Sequence, residues 1–245
     1  MLRRKVIDLH CHVLPGIDDG PDTFAESIDL ARAAAASGVT TIVATPHVSS
    51  EYRNEAGEIA RLVVELNTRL RGAEIAVDVL PGAEVAMAMV GELAAEELEQ
   101  LTLGGGGWLL IEPPFRQIVT GLDAIVGDLQ TRGFGVVIAH PERCPAFRAD
   151  HGMLSEMVRA GALSSVTAGS LTGRFGAGAQ ALATQLIAER LVHDIASDAH
   201  DTRARAPGIA AAIASGGLEP LAHWLTVAVP RAVVAGEQIP PRPDP

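Results

Sequence analysis

Short apolar, β-branched runs recur along this chain, and longer segments with helical periodicity separate them. This alternation is typical of a parallel sheet wrapped by helices, and several runs are apolar throughout, as in strands buried on both faces. Seven strands are predicted, at residues 5–10, 40–45, 77–85, 108–112, 135–140, 163–168 and 192–197. A chain of 245 residues is long enough for one β/α barrel. The pattern therefore predicts an α/β fold with parallel strands.

The segments between the strands carry helix signals. Thr23 and Glu26 have the spacing of a capping box at the start of the first helix. The apolar positions that share one helical face are Phe24, Ile28, Ala31 and Ala35 in the first segment, Ile59, Leu62, Val63, Leu66 and Leu70 in the second, and Leu122, Ile125, Val126 and Leu129 in a later one. No internal linker is evident, so residues 1–245 are predicted to form one domain with a loose, proline-rich tail at 239–245.

Charge and hydropathy narrow the functional classes. The net charge of −11 argues against a protein that holds nucleic acid by its phosphates. Residues 1–5 are basic but lead directly into the first strand, without the apolar stretch of a signal peptide. No run approaches the roughly 18 consecutive apolar residues of a membrane helix. We therefore expect a cytoplasmic protein that does not insert into a membrane.

Potential metal ligands follow six of the seven predicted strands at their carboxyl ends, where β/α barrels build active sites. His10 and His12 lie two residues apart in an extended segment, so both can point at one cation. Asp198 and His200 repeat that spacing. The single candidates are His47, Glu84, Glu112 and His140. The remaining histidines, His151, His193 and His223, do not join the pattern and are interpreted as surface or core residues.

The loops that follow these ligands add further candidates. Asp18 and Asp19 share the loop after the first strand, and spacing alone does not say which one binds metal. Arg143 and Arg205 follow ligands, and arginine can bind two phosphate oxygens at once. Mixed imidazole and carboxylate ligands favour Zn, Fe or Mn over Mg or Ca, and so many of them indicate more than one ion. The sequence therefore predicts a metal-dependent phosphoesterase.

The sequence excludes a cysteine-nucleophile phosphatase and argues against one class of barrel hydrolases. Thiol-based phosphatases place an arginine six positions after the nucleophile, but Ile17 stands six residues after Cys11 and Asp150 six residues after Cys144. Barrel hydrolases that bridge their metals with a carbamylated lysine need a lysine inside the barrel. The only lysine, Lys5, precedes the metal-bearing end of the first strand.

Several of these segments together resemble the PHP (polymerase and histidinol phosphatase) superfamily, in particular the bacterial manganese-dependent protein-tyrosine phosphatases of capsule and exopolysaccharide operons. The matching segments, in family order, are 8–12 (DLHCH), 15–20 (PGIDDG), 44–47 (ATPH), 82–84 (GAE), 110–112 (LIE), 139–143 (AHPER), 167–176 (TAGSLTGRFG) and 197–200 (SDAH). The PGIDDG and TAGSLTGRFG segments favour the tyrosine-phosphatase branch.

The resemblance implies a distorted seven-stranded β/α barrel with three divalent metal ions, manganese first and iron or zinc next. His10, His12, Glu84 and Asp198 would hold the first ion, and Glu84 would bridge to a second ion held by Glu112 and His140. Asp19, His47 and His200 would hold the third, which favours Asp19 over Asp18. Arg143 and Arg205 would bind the phosphoryl group, and a metal-bridged hydroxide would attack phosphorus.

The implied substrate is a phosphotyrosine-bearing protein, a bacterial tyrosine autokinase of polysaccharide synthesis. One alternative is a phosphatase of the same superfamily that acts on small esters such as histidinol phosphate or a nucleotide-like ester. A second is a catalytically idle module that binds a kinase, which the complete ligand set disfavours.

Overall fold

The computed structural model describes residues 5–116 and 118–243. Its strands are β1 (Val6–Cys11), β2 (Val39–Ala44), β3 (His47–Val48), β4 (Asp78–Leu80), β5 (Glu84–Ala86), β6 (Trp108–Glu112), β7 (Gly135–Ala139), β8 (Leu163–Thr167) and β9 (Asp194–Ala196). The α-helices are α1 (Phe24–Ala36), α2 (Ala56–Gly72), α3 (Ala95–Gln100), α4 (Leu122–Thr131), α5 (Pro145–Ala149), α6 (Gly152–Arg159), α7 (Ala168–Leu171), α8 (Gly176–Ala188), α9 (Ile209–Ser215) and α10 (Val229–Ala235). Short 3₁₀ turns lie at Met87–Met89, Leu103–Gly105, Pro141–Arg143 and Glu219–Leu221, and a π-helical turn at Trp224–Ala228.

The strands form two parallel sheets, as the buried apolar runs predicted. One sheet has the order β1-β2-β4, and the other has the order β3-β5-β6-β7-β8-β9. Backbone contacts also join β1 to the segment after β9. Cys11 pairs with Ala199 in a parallel bridge, and the His12 amide donates to the Ala199 carbonyl at 2.9 Å. The carboxyl ends of strands from both sheets therefore meet around His12.

The prediction of seven strands was wrong, because the described residues contain nine. The predicted strand at 77–85 is divided by Pro81 and Gly82 into β4 and β5, which lie in different sheets. Proline lacks the amide that a strand ladder requires. A side chain at Gly82 would meet the Val43 Cγ1 atom at 2.8 Å, so the chain passes close to β2 here. As a result Glu84 begins the short strand β5 and does not lie near the end of a long one.

The helices cover the sheets with their apolar faces. Thr23 and Glu26 form the predicted capping box at the start of α1. All five apolar residues predicted for the face of α2 are buried, whereas in α4 Ile125 is only partly buried. In α1 the fully buried face includes Leu30 and Ala34 in addition to Ala31, and Phe24, Ile28 and Ala35 pack at its border. Within the described ranges no helix has both the length and the apolar character needed to cross a bilayer.

The C-terminal segment packs against the ends of the strands opposite His12. A side chain at Gly106 would lie 1.9 Å from the Val233 carbonyl oxygen, so the entry to β6 and helix α10 touch backbone to backbone. The segment predicted as a loose tail makes contacts up to residue 243. The Pro240 carbonyl accepts a hydrogen bond from the Trp224 indole at 3.0 Å, and Arg242 donates to the Ile187 carbonyl. Residues 244–245 lie outside the described part of the chain.

Candidate metal centre

The structure brings the predicted ligands together at the carboxyl ends of the strands. Four overlapping groups of side chains have ligand atoms within 4.8 Å of one another. The groups are His12, Asp19, His47 and His200; His10, His12 and Asp198; His10, Glu84 and His140; and His47, Glu84 and Glu112. Together they include all nine residues that the sequence predicted. No ligand of the predicted set is left outside the cluster.

Glu84 lies at the centre of the cluster. Its Oε2 atom is 3.3 Å from His10 Nε2, 3.4 Å from His12 Nε2 and 3.1 Å from His47 Nδ1. Its Oε1 atom lies 2.7 Å from His140 Nε2. The short strand β5 places it there, because Glu84 pairs with His47 of β3 on one side and with Leu110 of β6 on the other.

The adjacent HxH pair has the geometry that extended backbone predicts. His10 and His12 face each other with their Nε2 atoms 3.2 Å apart. The Asp198 Oδ1 atom lies 3.5 Å from one ring and 3.6 Å from the other. Cys11, between the two histidines, faces the opposite side and is fully buried in the core.

A third group of ligands lies nearer to solvent. The Asp19 Oδ1 atom is 3.1 Å from His200 Nε2 and 3.5 Å from His47 Nε2. The Asp19 side chain is 42% exposed and that of His47 17%. Tyr52 stacks on the His47 ring at 5.7 Å and covers part of this outer edge.

The structure distinguishes Asp18 from Asp19. Asp18 is directed into the loop, where its Oδ2 atom lies 2.7 Å from His12 Nδ1 and accepts from the His47 amide at 3.1 Å. Its Oδ1 atom accepts from the Gly20 amide at 2.9 Å. Asp18 thus orients one ligand ring through the nitrogen that does not face the cluster, while Asp19 faces the cluster itself.

Two ligands occupy unusual backbone conformations. His140 has φ of 30° and Asp198 has φ of 50°, which places both in the left-handed region that non-glycine residues seldom adopt. His140 stands directly after β7 and Asp198 two residues after the end of β9, where the chain turns into a loop. Such conformations cost on the order of 1–3 kcal/mol and are concentrated at functional sites. The turns direct both side chains into the cluster.

The electrostatics of the cluster fit positive ions. Burial lowers the pKa of His12, but its hydrogen bond to Asp18 and the charge of Glu84 raise that pKa to about 10. Burial raises the pKa of Glu112, and the charge of Glu84 raises it further, to about 8. With no cation present, His12 and Glu112 would therefore both carry protons at neutral pH. Bound cations would replace these protons.

Buried polar atoms without a hydrogen bond also indicate a site for cations. Glu84 Oε2 and His200 Nε2 are buried and have no hydrogen bond of acceptable geometry, although potential partners lie within 3.5 Å. Such groups converge on shared points without bonding to one another, as ligands of a common ion do. Imidazole and carboxylate donors of this kind hold zinc, iron and manganese. The residues of the site therefore fit divalent metal ions.

Both predicted arginines reach the cluster. Arg143, in the 3₁₀ turn after β7, donates to Asp198 Oδ2, and Arg205 donates to Asp198 Oδ1 at 2.7 Å. Arg205 also lies 3.6 Å from Asp19. The two guanidinium groups thus lie beside the cluster, and both contact the same carboxylate.

Several residues at the site were not found from the sequence. Glu142 accepts from the Thr167 amide and the Ser170 hydroxyl and so ties the Arg143 turn to β8 and α7. Asn54 donates to the carbonyls of Ile17 and His47. Phe115 and Phe175 lie against Arg143. These contacts join segments that are distant in sequence, and no local spacing indicates them.

The fold and the site together define the class: an α/β protein with a His and carboxylate metal centre at the carboxyl ends of parallel strands. Residues 6–216 match the family model "Capsular polysaccharide synthesis, CpsB/CapC", and the chain belongs to this CpsB/CapC family.

Individual relatives agree with this assignment. Tyrosine-protein phosphatase YwqE of Bacillus subtilis is 39% identical over 201 residues, which are 82% of this chain and 79% of YwqE. CapC of Staphylococcus aureus is 34% identical over 80% of this chain and 77% of its own. A solved structure from work on YwqE and Streptococcus pneumoniae CpsB, both metal-dependent tyrosine phosphatases, has a TM-score of 0.88 at 34% identity and covers 98% of this chain and 99% of its own. The resemblance inferred from the sequence is confirmed.

Proposed function

We propose that this chain is a metal-dependent protein-tyrosine phosphatase that hydrolyses phosphotyrosine without a cysteine nucleophile. The observation that carries the proposal is the convergence of nine His, Asp and Glu ligands with two arginines on one open site. The tyrosine phosphatase YwqE, 39% identical to this chain, supports the substrate class.

The cysteines support a mechanism without a thiol. Cys11 and Cys144 are both fully buried, and burial together with the Asp8 carboxylate raises the pKa of the Cys11 thiol well above its ordinary value. A thiol that stays protonated and buried is a poor nucleophile.

We further propose three metal ions, with manganese the first choice and iron or zinc the alternatives. His10, His12, Glu84 and Asp198 would hold one ion, Glu84, Glu112 and His140 the second, and Asp19, His47 and His200 the third. The short distances from Glu84 to ligands of more than one group support its bridging role. When bound, such ions polarise phosphoryl oxygens and lower the pKa of water.

Charge balance supports a requirement for several ions. The cluster contains four carboxylates, Asp19, Glu84, Glu112 and Asp198, against the two guanidinium groups of Arg143 and Arg205. Without cations, the protons on His12 and Glu112 would leave this arrangement nearly neutral, with little attraction for a phosphate dianion. Divalent ions would make the local charge positive and attract the substrate.

The protein residues have separable tasks in this proposal. Arg143 and Arg205 would exchange their contacts with Asp198 for phosphoryl oxygens, and arginine is suited to such paired hydrogen bonds. Asp19 lies at the exposed edge of the cluster, where it would hold the third ion with His47 and His200. Because a phenol has a pKa near 10, its departure needs less proton donation than departure of an alkyl alcohol.

A bacterial tyrosine autokinase of capsule or exopolysaccharide synthesis is the proposed substrate protein, supported by the capsular polysaccharide family to which the chain belongs.

We also propose that the chain forms a single domain and that its two sheets are parts of one distorted barrel, supported by the contact between Cys11 and Ala199. The cytoplasmic location inferred from the sequence stays a prediction.

The decisive experiment measures hydrolysis of a phosphotyrosine peptide by metal-stripped protein, with and without added Mn²⁺, beside the variant His140→Ala. We expect activity only with the metal and none in the variant. His151→Ala is the control, since His151 lies outside the cluster beside Glu189, and this variant should retain activity. Turnover of small phosphate esters but not of the peptide would instead indicate a small-molecule phosphatase.

A further inference from the structure

Aromatic residues are scarce in this chain but gather around the metal centre. The sequence contains five Phe, two Trp and one Tyr. Of these, Tyr52, Phe115 and Phe175 lie around the cluster of metal ligands. Phe115 is 48% exposed, which is unusual for so large an apolar side chain in a protein with an otherwise well-buried core. An exposed aromatic ring beside a charged site is suited to contact a bound ligand.

Phe115 and Phe175 both lie against Arg143. The Arg143 Cζ atom is 5.1 Å from the ring centroid of Phe115 and 4.3 Å from that of Phe175. Both distances are within the range of cation–π contacts. The Phe115 ring also stacks on His140 at 5.3 Å with an interplanar angle of 18°. Phe115 therefore contacts a metal ligand as well as the arginine, and Phe175 contacts the same arginine.

A cavity opens beside these rings. It has a volume of about 240 Å³ and is lined by Phe115, Arg143, Arg148, Phe175 and Ala179. Two of its lining residues touch the metal centre, because Arg143 contacts Asp198 and Phe115 stacks on His140. A phosphoryl group held by Arg143 at the metals would thus have the cavity within reach of its ester substituent.

We propose that Phe115 and Phe175 form a slot for the aromatic ring of the substrate, so that the site prefers aryl phosphates to alkyl phosphates. The inference rests on the proposed phosphatase function and names the residues that select its substrate class. Aromatic rings attract one another in offset-stacked and edge-to-face arrangements, whereas a short alkyl chain fills such a slot poorly. Arg143 would bind the phosphoryl group while the two phenyl rings hold the ring that leaves with the phenol oxygen.

The slot can be tested with two inhibitors that share the phosphoryl group. Phenylphosphonate carries the aromatic ring and inorganic phosphate does not. Their inhibition constants are measured for the Mn²⁺-loaded protein and for the variants Phe115→Leu and Phe175→Leu, and binding of each is checked by calorimetry. We expect each variant to bind phenylphosphonate roughly threefold to tenfold more weakly, which is the usual size of an aromatic contact. The inhibition constant of phosphate should not change.

A matched control is available elsewhere in the chain. Phe24 contacts the Arg69 guanidinium at 4.2 Å, and neither residue lines the cavity or belongs to the metal cluster, so Phe24→Leu removes a similar pair without touching the slot. This control should bind both inhibitors like the unchanged protein. Phe115→Tyr, which keeps the ring, should restore phenylphosphonate binding.

Substrate turnover gives an independent readout. In the slot variants kcat/KM should fall for a phosphotyrosine peptide and stay constant for the weak turnover of a phosphoserine peptide of the same sequence. Equally weakened binding of phosphate and phenylphosphonate would show that the rings only position Arg143, and this would overturn the slot. Unchanged binding of both compounds would also overturn it. If the unchanged protein hydrolyses no phosphate ester at all, the proposed function fails and not the slot alone.

Discussion

The metal cluster has two parts that differ in their access to solvent. The inner part consists of His10, His12, Glu84, His140, Asp198 and His200, whose side chains are at most 3% exposed. The outer part consists of Asp19, His47 and Glu112, whose side chains are 16–42% exposed.

This difference separates two roles for bound ions. Buried carboxylates are costly unless a cation compensates them, so the inner part depends on metal for its own stability. Carboxylates and imidazoles in contact with water tolerate an empty site at a smaller cost. We therefore expect the first ion, whose proposed ligands all belong to the inner part, to be held firmly, and the third ion, which depends on Asp19 and His47, to exchange.

The largest effect is expected at the centre of the inner part. Glu84→Gln keeps the shape of the side chain but removes the charge that faces three histidines through one oxygen. Metal content should fall, and kcat/KM for a phosphotyrosine peptide should drop by more than about a hundredfold, because second-sphere changes alone cost ten- to a hundredfold. The control is Glu92→Gln, an exposed residue. Unchanged metal content in Glu84→Gln would contradict the central role of this residue.

A smaller loss is expected when a ligand is disturbed only through its support. Asp18→Asn weakens the hydrogen bond that fixes the His12 ring but leaves every atom of the cluster in place. The affinity for Mn²⁺, measured by titration of metal-free protein, should fall by about ten- to a hundredfold. Excess Mn²⁺ should then restore most of the activity. Asp22→Asn, in the same loop, serves as the control, and equal losses in both variants would refute the argument.

The third ion should be lost independently of the other two. Asp19→Ala removes the ligand that faces both His47 and His200. Elemental analysis should show about one metal ion fewer per chain, with the inner ions retained, and kcat/KM should fall by about tenfold, less than for a central ligand. Loss of all metal from this variant would show that the two parts bind their ions as a single unit.

The smallest effect is expected outside the cluster, at His193. Burial lowers the pKa of this side chain, and the Arg242 charge lowers it further, to about 4. Between this value and the ordinary pKa near 6.5 the unfolded chain binds more protons, so stability is lost as the pH falls through that range. His193→Asn should remove this pH-dependent loss. At pH 4.5 the free energy of unfolding of the variant, compared with the unchanged protein, should therefore be higher by on the order of 1 kcal/mol than the same comparison gives at pH 7. Denaturant titrations at both pH values check this, and phosphatase activity at pH 7 should not change.

The sequence predicted side-chain orientation and burial correctly where these follow from local spacing. The paired orientation of His10 and His12 needs only an extended backbone, and the burial of Leu62 and Leu66 needs only helical periodicity. Residues at the carboxyl ends of parallel strands meet in any α/β protein of this kind. The sequence therefore predicted that the nine candidate ligands lie close together, while their binding of metal stays a prediction.

Other features could not be predicted because they depend on contacts between distant segments. The break at Pro81 assigns β4 and β5 to different sheets, and the strand pattern alone did not show it. Asp18 and Asp19 differ in role only because the loop turns one towards His12 and the other towards His200. The position of Phe115 beside Arg143 likewise joins loops that follow different strands.

The path of the chain after α10 determines which face of the protein is presented when it is attached there to a solid support. Pro240 lies beside Trp108 and Leu163, the first residues of β6 and β8, whereas the ligands stand at the other ends of the strands. A linker attached at residue 243 would leave from the face opposite the candidate metal centre. Protein coupled to a solid support through such a linker would thus present its metal centre outwards, to a large phosphoprotein as readily as to a peptide.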